Sequence, residues 1–163
     1  MKQLGLAATL LLGLGGTALA DDATTPPKTA VSVLEAEADG VQIYVCETKD
    51  SGFAWVFHGP EANLFDAQGR QIGTHFAGPS WKLADGSTVV GEKLADAPAP
   101  EPHAVPWLLL RAKTHEGTGQ LTAAAWIRRA NTRGGTAPVG GCDAGHAGET
   151  ARIRYSATYQ FFR

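Results

Sequence analysis

Short runs of alternating apolar and polar residues, separated by glycine and proline, follow one another from about residue 31 onward. The clearest run ends the chain, where every second residue is apolar: Ile153, Tyr155, Ala157, Tyr159 and Phe161. Residues two apart share one face of a strand, so we expect these side chains to be buried against a core. No long stripe of helical period occurs. We therefore predict an all-β fold, a single-domain antiparallel sandwich or barrel of about 8–10 short strands with long Gly/Pro-rich loops.

Further runs predict the other strands and the turns between them. The predicted strands are 41–46, 53–58, 62–65, 70–77, 81–84, 88–93, 107–112 and 121–129. Residues 66–69 and Asp85-Gly86 predict two hairpin turns, because glycine adopts positive φ at little cost. Residues 95–106 and 130–149 lack periodicity and are rich in proline or glycine, which predicts two long loops.

Residues 1–20 have the pattern of a secretory signal peptide. Lys2 supplies a positive start, an apolar run follows, and the stretch closes on the small residue Ala20. We predict cleavage after Ala20, a periplasmic or extracellular location, a disordered leader over 21–30 and a single all-β domain over 31–163. The apolar run is shorter than the ~20 residues that cross a bilayer, so we predict no membrane span.

The charge and the cysteine content narrow the class of protein further. Fourteen basic and 16 acidic residues give a formal net charge of −2, with no dense basic run, which argues against a nucleic-acid partner. Cys46 and Cys142 are the only cysteines of the chain. Since an exported protein meets an oxidising environment, we predict a disulfide between them that ties the loop 130–149 to the strand 41–46.

Several motifs together resemble one protein family. They are Gly-Thr-His-Phe-Ala-Gly-Pro-Ser-Trp at 73–81, Asp-Gly-Ser at 85–87, Pro-Trp-Leu-Leu at 106–109, Gly134-Gly135 with Pro138 and Gly141-Cys142, and Tyr-Ser-Ala-Thr-Tyr-Gln-Phe at 155–161. In the order of these motifs, in its length and in its predicted secretion, the chain is similar to the family called domain of unknown function 3455. The resemblance implies small secreted or periplasmic proteins of bacteria and fungi without an established activity. Some fungal members carry a malate dehydrogenase label, but this chain lacks the Gly-x-Gly-x-x-Gly turn of a dinucleotide fold.

The stretch 75–87 is the best candidate for a ligand site. His75, Trp81, Asp85 and Ser87 place an imidazole, a flat aromatic ring, a carboxylate and a hydroxyl within two predicted hairpins. His75 would orient a polar group, Trp81 would stack on a sugar-like ring, and the other two would hydrogen-bond at the rim. The alternative interpretation is that the same residues lock the hairpins, with His75 and Asp85 bonding backbone amides.

The other aromatic and cationic residues have simpler interpretations. Trp55, Trp107 and Trp126 lie in strand patterns, so we expect them in the core. Arg128, Arg129 and Arg133 beside Gly134-Gly135 would suit an anion, although solvated charges at a strand end are the commoner case.

No local motif indicates catalysis or metal binding. The five histidines form no His-x-His or i,i+4 pair, and Ser80 and Ser87 lack a Gly-x-Ser-x-Gly elbow. We therefore predict no catalytic residue, no metal and no cofactor. The favoured function is a non-catalytic ligand-binding or structural module whose partner is a small molecule or carbohydrate. The alternatives are a secreted hydrolase acting on a sugar or ester, and a metal-handling protein.

Overall fold

The computed structural model describes residues 23–163, and the regular structure of this part of the chain is β-strand apart from one short 3₁₀ helix. Its strands are β1 Ser32–Lys49, β2 Gly52–Phe65, β3 Gln71–Phe76, β4 Ser80–Leu83, β5 Thr88–Ala97, β6 Trp107–Glu116, β7 Trp126–Gly134 and β8 Thr150–Phe162. A short 3₁₀ helix, Gln120–Ala123, lies between β6 and β7. Over the same residues, no helix has the length and apolarity needed to cross a membrane. The predicted signal peptide lies outside the described residues.

The strands form one closed antiparallel sheet. Each strand pairs with the next along the chain, and β8 returns to pair with β1. Antiparallel pairing of strands that follow one another along the chain gives this order directly. The ring is irregular, since the register shifts in several ladders, for example at Ile43/Tyr44 between β1 and β2. The predicted all-β antiparallel fold is therefore confirmed.

The interior of the ring is lined by the face predicted for the last strand. Tyr155, Ala157, Tyr159 and Phe161 are each at most 2 % exposed, while Ile153 is half-buried. The residues that pack with them from other strands include Ala36, Ala38, Leu64, Trp81, Val89, Leu110 and Ile127. Burial of these aromatic and aliphatic side chains supplies the main stabilising free energy of the fold.

Several predicted boundaries differ from the structure. The runs 53–58 and 62–65 belong to one strand, β2, because Pro60 lies close to the register shift of the ladder, where a proline is tolerated. Likewise β5 continues to Ala97, into the stretch that the prolines mark as a loop.

The prediction of one strand over 121–129 is wrong. Leu121 lies in the 3₁₀ helix and is fully buried, and β7 begins only at Trp126. Polar contacts from a distant turn fix the helical turn: Ser87 Oγ accepts from Leu121 N at 3.2 Å and Asp85 Oδ2 accepts from Gln120 N at 2.8 Å. Such long-range contacts outweigh local strand propensity.

The predicted disulfide is confirmed and organises the loop between β7 and β8. The sulfurs of Cys46 and Cys142 are 2.06 Å apart, and their Cα atoms 5.3 Å apart. Trp55 Nε1 donates a hydrogen bond of 2.8 Å to the carbonyl of Gly140 in the same loop. The loop is thereby held against the hairpin of β1 and β2.

One residue of the predicted leader is packed. Thr24 is fully buried, and its Oγ1 accepts a hydrogen bond of 3.3 Å from Arg128 Nε on β7. This contact attaches the start of the described chain to the outside of the ring.

Candidate functional site

His75 and Trp81 lie inside the ring. They are directly opposite on β3 and β4, and each is at most 3 % exposed. Their rings stack with centroids 4.5 Å apart and an angle of 7° between the planes. Tyr159 packs edge-on against both rings, at 4.8 Å and 5.3 Å. The pair therefore forms part of the aromatic core.

The chemistry of His75 suits a structural role. Its Nδ1 lies 2.8 Å from the carbonyl oxygen of Ser80. Because that oxygen can only accept, Nδ1 carries the proton. Burial lowers the pKa of His75 to about 3, and the hydrogen bond to Ser80 offsets only part of that effect. The ring is therefore neutral in ordinary conditions and faces away from solvent.

Asp85 and Ser87 hold the turn between β4 and β5. Asp85 Oδ1 accepts from Ser87 N at 2.9 Å and from Ser87 Oγ at 2.6 Å. These bonds, with that from Gln120 N, lower the pKa of the exposed Asp85 carboxyl. The four residues predicted from the sequence to bind a ligand thus form two separate pairs. His75 and Trp81 lie in the core, and Asp85 and Ser87 lie at a turn. This arrangement favours the scaffold interpretation, and their role in ligand binding stays a prediction.

The tryptophans occupy different places from those expected. Trp55, Trp107 and Trp126 are half-buried, so their assignment to the core is wrong, and Trp81 is the tryptophan that is 1 % exposed. Trp107 and Trp126 are the first residues of β6 and β7, and Trp55 lies in the first half of β2.

Two of the three arginines predicted to suit an anion, Arg128 and Arg129, do not converge on the Gly134-Gly135 turn. Arg129 is 9 % exposed and donates from Nε and Nη2 to the carbonyl oxygen of Pro106, at 3.0 and 2.8 Å. Arg128 instead lies over the ring of Trp107, 5.2 Å from its centroid. Each guanidinium is therefore engaged within the fold.

An open groove of about 440 Å³ lies on the outer face of the sheet, across β8, β1, β2 and β3. The polar residues that line it alternate with buried core residues along their strands, so that Asn63 follows Ala62 and Thr74 precedes His75. The side chains that line this outer groove include Asp39, Glu61, Asn63, Thr74, Phe76, Arg152 and Arg154. Sequence reasoning missed this site.

Two ion pairs and one aromatic ring give the outer groove its chemistry. Arg152 Nη2 lies 2.5 Å from Glu61 Oε2, and Arg154 Nη2 lies 3.0 Å from Asp39 Oδ1. Hydrogen bonding to Arg152 lowers the pKa of the Glu61 carboxyl, which keeps it ionised. Phe76 is 39 % exposed and stands directly opposite Glu61 on the neighbouring strand. The groove can therefore offer both an apolar face and hydrogen-bonding groups.

The described part of the chain contains no cluster of three or more His, Cys, Asp or Glu side chains arranged to hold a metal ion. Two histidines have carboxylate partners at the surface: His146 pairs with Asp143 and His58 with Glu47, each at 2.7 Å. Both are hydrogen-bonded pairs at the surface.

Comparison with known proteins gives one match. The family model described as protein of unknown function (DUF3455) matches residues 26–163, which confirms the resemblance. No curated protein and no solved structure matches the chain.

Proposed function

Since the chain belongs to the DUF3455 family of proteins of unknown function, we propose its function from its own geometry. It is an exported, non-catalytic binding module that takes a small polar ligand, a neutral saccharide, in the outer groove.

The observation that carries this proposal is the combination of an exposed aromatic ring with hydrogen-bonding side chains in one concavity. A phenyl face such as that of Phe76 packs on the apolar face of a sugar ring. Asn63, Thr74 and the carboxylate–guanidinium pairs supply donors and acceptors for hydroxyl groups. The two acids and two arginines of the groove balance in charge, which suits a ligand without net charge.

The position of these groups on paired strands supports binding. Asp39, Glu61, Asn63 and Phe76 belong to ladders of the closed sheet, so their backbones are already ordered before a ligand arrives. The ion pairs further restrict the long side chains. Preorganisation of this kind lowers the entropic cost of association.

The state of Glu61 argues against glycoside hydrolysis in the same groove. A hydrolase of that class needs one carboxyl group with a raised pKa to protonate the leaving oxygen. Arg152 instead lowers the pKa of Glu61, and Arg154 occupies the carboxylate of Asp39. Both acids are therefore suited to accept hydrogen bonds.

The disulfide supports export. Disulfides persist in oxidising compartments, and the Cys46–Cys142 bond links residues 96 positions apart. Together with the signal-peptide pattern of residues 1–20, it favours a periplasmic or extracellular location.

The test is a thermal-shift screen of residues 21–163 with neutral cello-, chito- and xylo-oligosaccharides, followed by calorimetry. We expect at least one oligosaccharide to raise the Tm, because a ligand specific to the folded state stabilises it. Phe76→Ala should weaken that binding about tenfold, or about 1.4 kcal/mol.

Phe53→Ala is the matched control, since Phe53 is 38 % exposed but lies outside the groove. It should bind like the wild type. The proposal fails if no oligosaccharide raises the Tm, or if the two alanine variants bind equally well.

A further inference from the structure

The first half of β2 has a strand on one side only. Residues 52–59 pair with β1, whereas the pairing of β2 with β3 begins at Glu61. Within the described chain, no backbone hydrogen bond joins residues 53–57 to any segment other than β1. This segment is therefore a free edge of the sheet.

The direction of the free backbone groups follows from the partners of Cys46. Its N–H and C=O bond Glu149 O and Gly148 N, on the side away from β2. Cys46 lies directly opposite Trp55 on β2. Because the backbone groups of Cys46 point away from β2, the two residues form a non-hydrogen-bonded pair of the antiparallel ladder. The N–H and C=O of Trp55 therefore point away from β1, to the free edge. By the period of two, those of Phe53 and Phe57 do the same.

The edge sequence is symmetric about Trp55. Phe53-Ala54-Trp55-Val56-Phe57 has the same order of residue types in both directions, aromatic and small alternating. It contains no charged residue, although charges are the usual protection of an exposed edge. Phe53 and Phe57 are 38 % and 50 % exposed. The edge is thus open, apolar and complementary to an inverted copy of itself.

We propose that two copies of this protein pair antiparallel along this edge, about a two-fold axis through Trp55. Trp55 then lies opposite the partner's Trp55, and Phe53 opposite the partner's Phe57. All three residues direct their N–H and C=O groups at the partner strand, so the register satisfies the free backbone groups. The same register sets aromatic side chains across from one another, which stabilises antiparallel pairs.

A second copy fits this edge better than an unrelated peptide does. A two-fold interface requires a patch that is complementary to itself, and the palindromic order of residues 53–57 meets that requirement. The absence of charge removes repulsion between the two copies. Because the shared edge is short, we expect a concentration-dependent dimer of modest affinity.

The experiment is sedimentation equilibrium of residues 21–163 over a concentration series from low micromolar to near millimolar. We expect the wild type to pass from monomer to dimer over this range. Phe53→Lys should shift the midpoint at least tenfold to higher concentration. Phe76→Lys is the matched control, since Phe76 has nearly the same exposure and lies away from the edge, and it should dimerise like the wild type.

Circular dichroism checks that both lysine variants are folded, and Phe57→Glu replaces Phe53→Lys if the latter is not. A wild type that remains monomeric throughout overturns the proposal. So does a dimer that Phe76→Lys weakens as much as Phe53→Lys does, or one that neither edge substitution affects.

Discussion

At the scale of single residues, the stacked rings of His75 and Trp81 show how a polar side chain becomes part of a core. The stack buries the imidazole between an indole and Tyr159, and the Ser80 carbonyl satisfies its one N–H donor. A buried donor that keeps its hydrogen bond costs little, whereas a buried charge costs several kcal/mol. His75 is therefore stable in the core only while neutral.

This neutrality predicts a pH dependence of stability. Because the pKa of His75 is about 3 in the folded protein and 6.5 without perturbation, the unfolded chain binds a proton below pH 6.5 that the folded chain does not. The contribution of neutral His75 to the free energy of unfolding is complete above pH 6.5 and is lost as the pH falls. Between the two pKa values the free energy of unfolding decreases by up to about 1.4 kcal/mol per pH unit. Urea unfolding of the wild type and of His75→Gln between about pH 6.5 and 4.5 measures it.

The variant controls for the other titrating groups. Asp143 raises the pKa of His146, whose contribution is present at low pH and lost as the pH rises, opposite in sign to that of His75. The titration of His75 is therefore measured by the difference in free energy of unfolding between the wild type and His75→Gln at each pH. We expect the variant to be less stable at neutral pH but less sensitive to acid. Parallel stability curves would show that His75 titrates normally in the folded state.

The positions of the strands were easier to predict than the face of each strand that is buried. On β3, His75 and Gly73 lie on one face of the strand, and Ile72 and Phe76 lie on the other. Yet the face with the histidine points inward, and Phe76 is exposed. Both faces of this short strand carry apolar residues, so the neighbouring strands decide which face is buried. On β4 the two faces differ, since Trp81 and Leu83 share the buried face and Lys82 is exposed.

At the scale of elements, the period of two predicted the strands, and glycine-containing turns predicted the hairpins that join β2 to β3 and β4 to β5. The 3₁₀ helix was missed because its stabilising partners, Asp85 and Ser87, lie more than 30 residues away in sequence. The groove was missed for a related reason. Its walls come from both ends of the chain, and only the closure of β8 onto β1 brings Arg154 beside Asp39.

A second prediction concerns the contribution of the disulfide that holds the loop between β7 and β8 to the stability of the protein. Replacing Cys46 and Cys142 by serine should destabilise the protein by roughly 4–5 kcal/mol, because the bond closes a chain segment of 96 residues in the unfolded state. Urea unfolding gives the loss, and hydrogen exchange of the Trp55 indole N–H reports whether its bond to Gly140 persists. A loss below about 1 kcal/mol would mean that the loop is held without the bond.

At the scale of the whole molecule, the fold separates the hydrophobic core from the outer groove where we propose that a ligand binds. The interior holds Trp81, Tyr155, Tyr159 and Phe161 with the one buried histidine of the described residues, while the outer face carries ion pairs around an exposed phenyl ring. In a closed sheet every strand has two sides, so residues next to each other in sequence serve the core and the surface in turn. Binding at the outer groove therefore requires no change in the core.

The most direct test of this account is an amide chemical-shift titration of ¹⁵N-labelled residues 21–163 with the neutral oligosaccharide that gives the largest Tm increase. We predict that the shifted signals map to Asp39, Asn63, Thr74, Phe76 and Arg154, on four strands around the groove. Shifts confined to the turn of Asp85 and Ser87 would instead locate binding at the site nominated from the sequence. Either that result or an unchanged spectrum at saturating oligosaccharide would contradict a binding site in the outer groove.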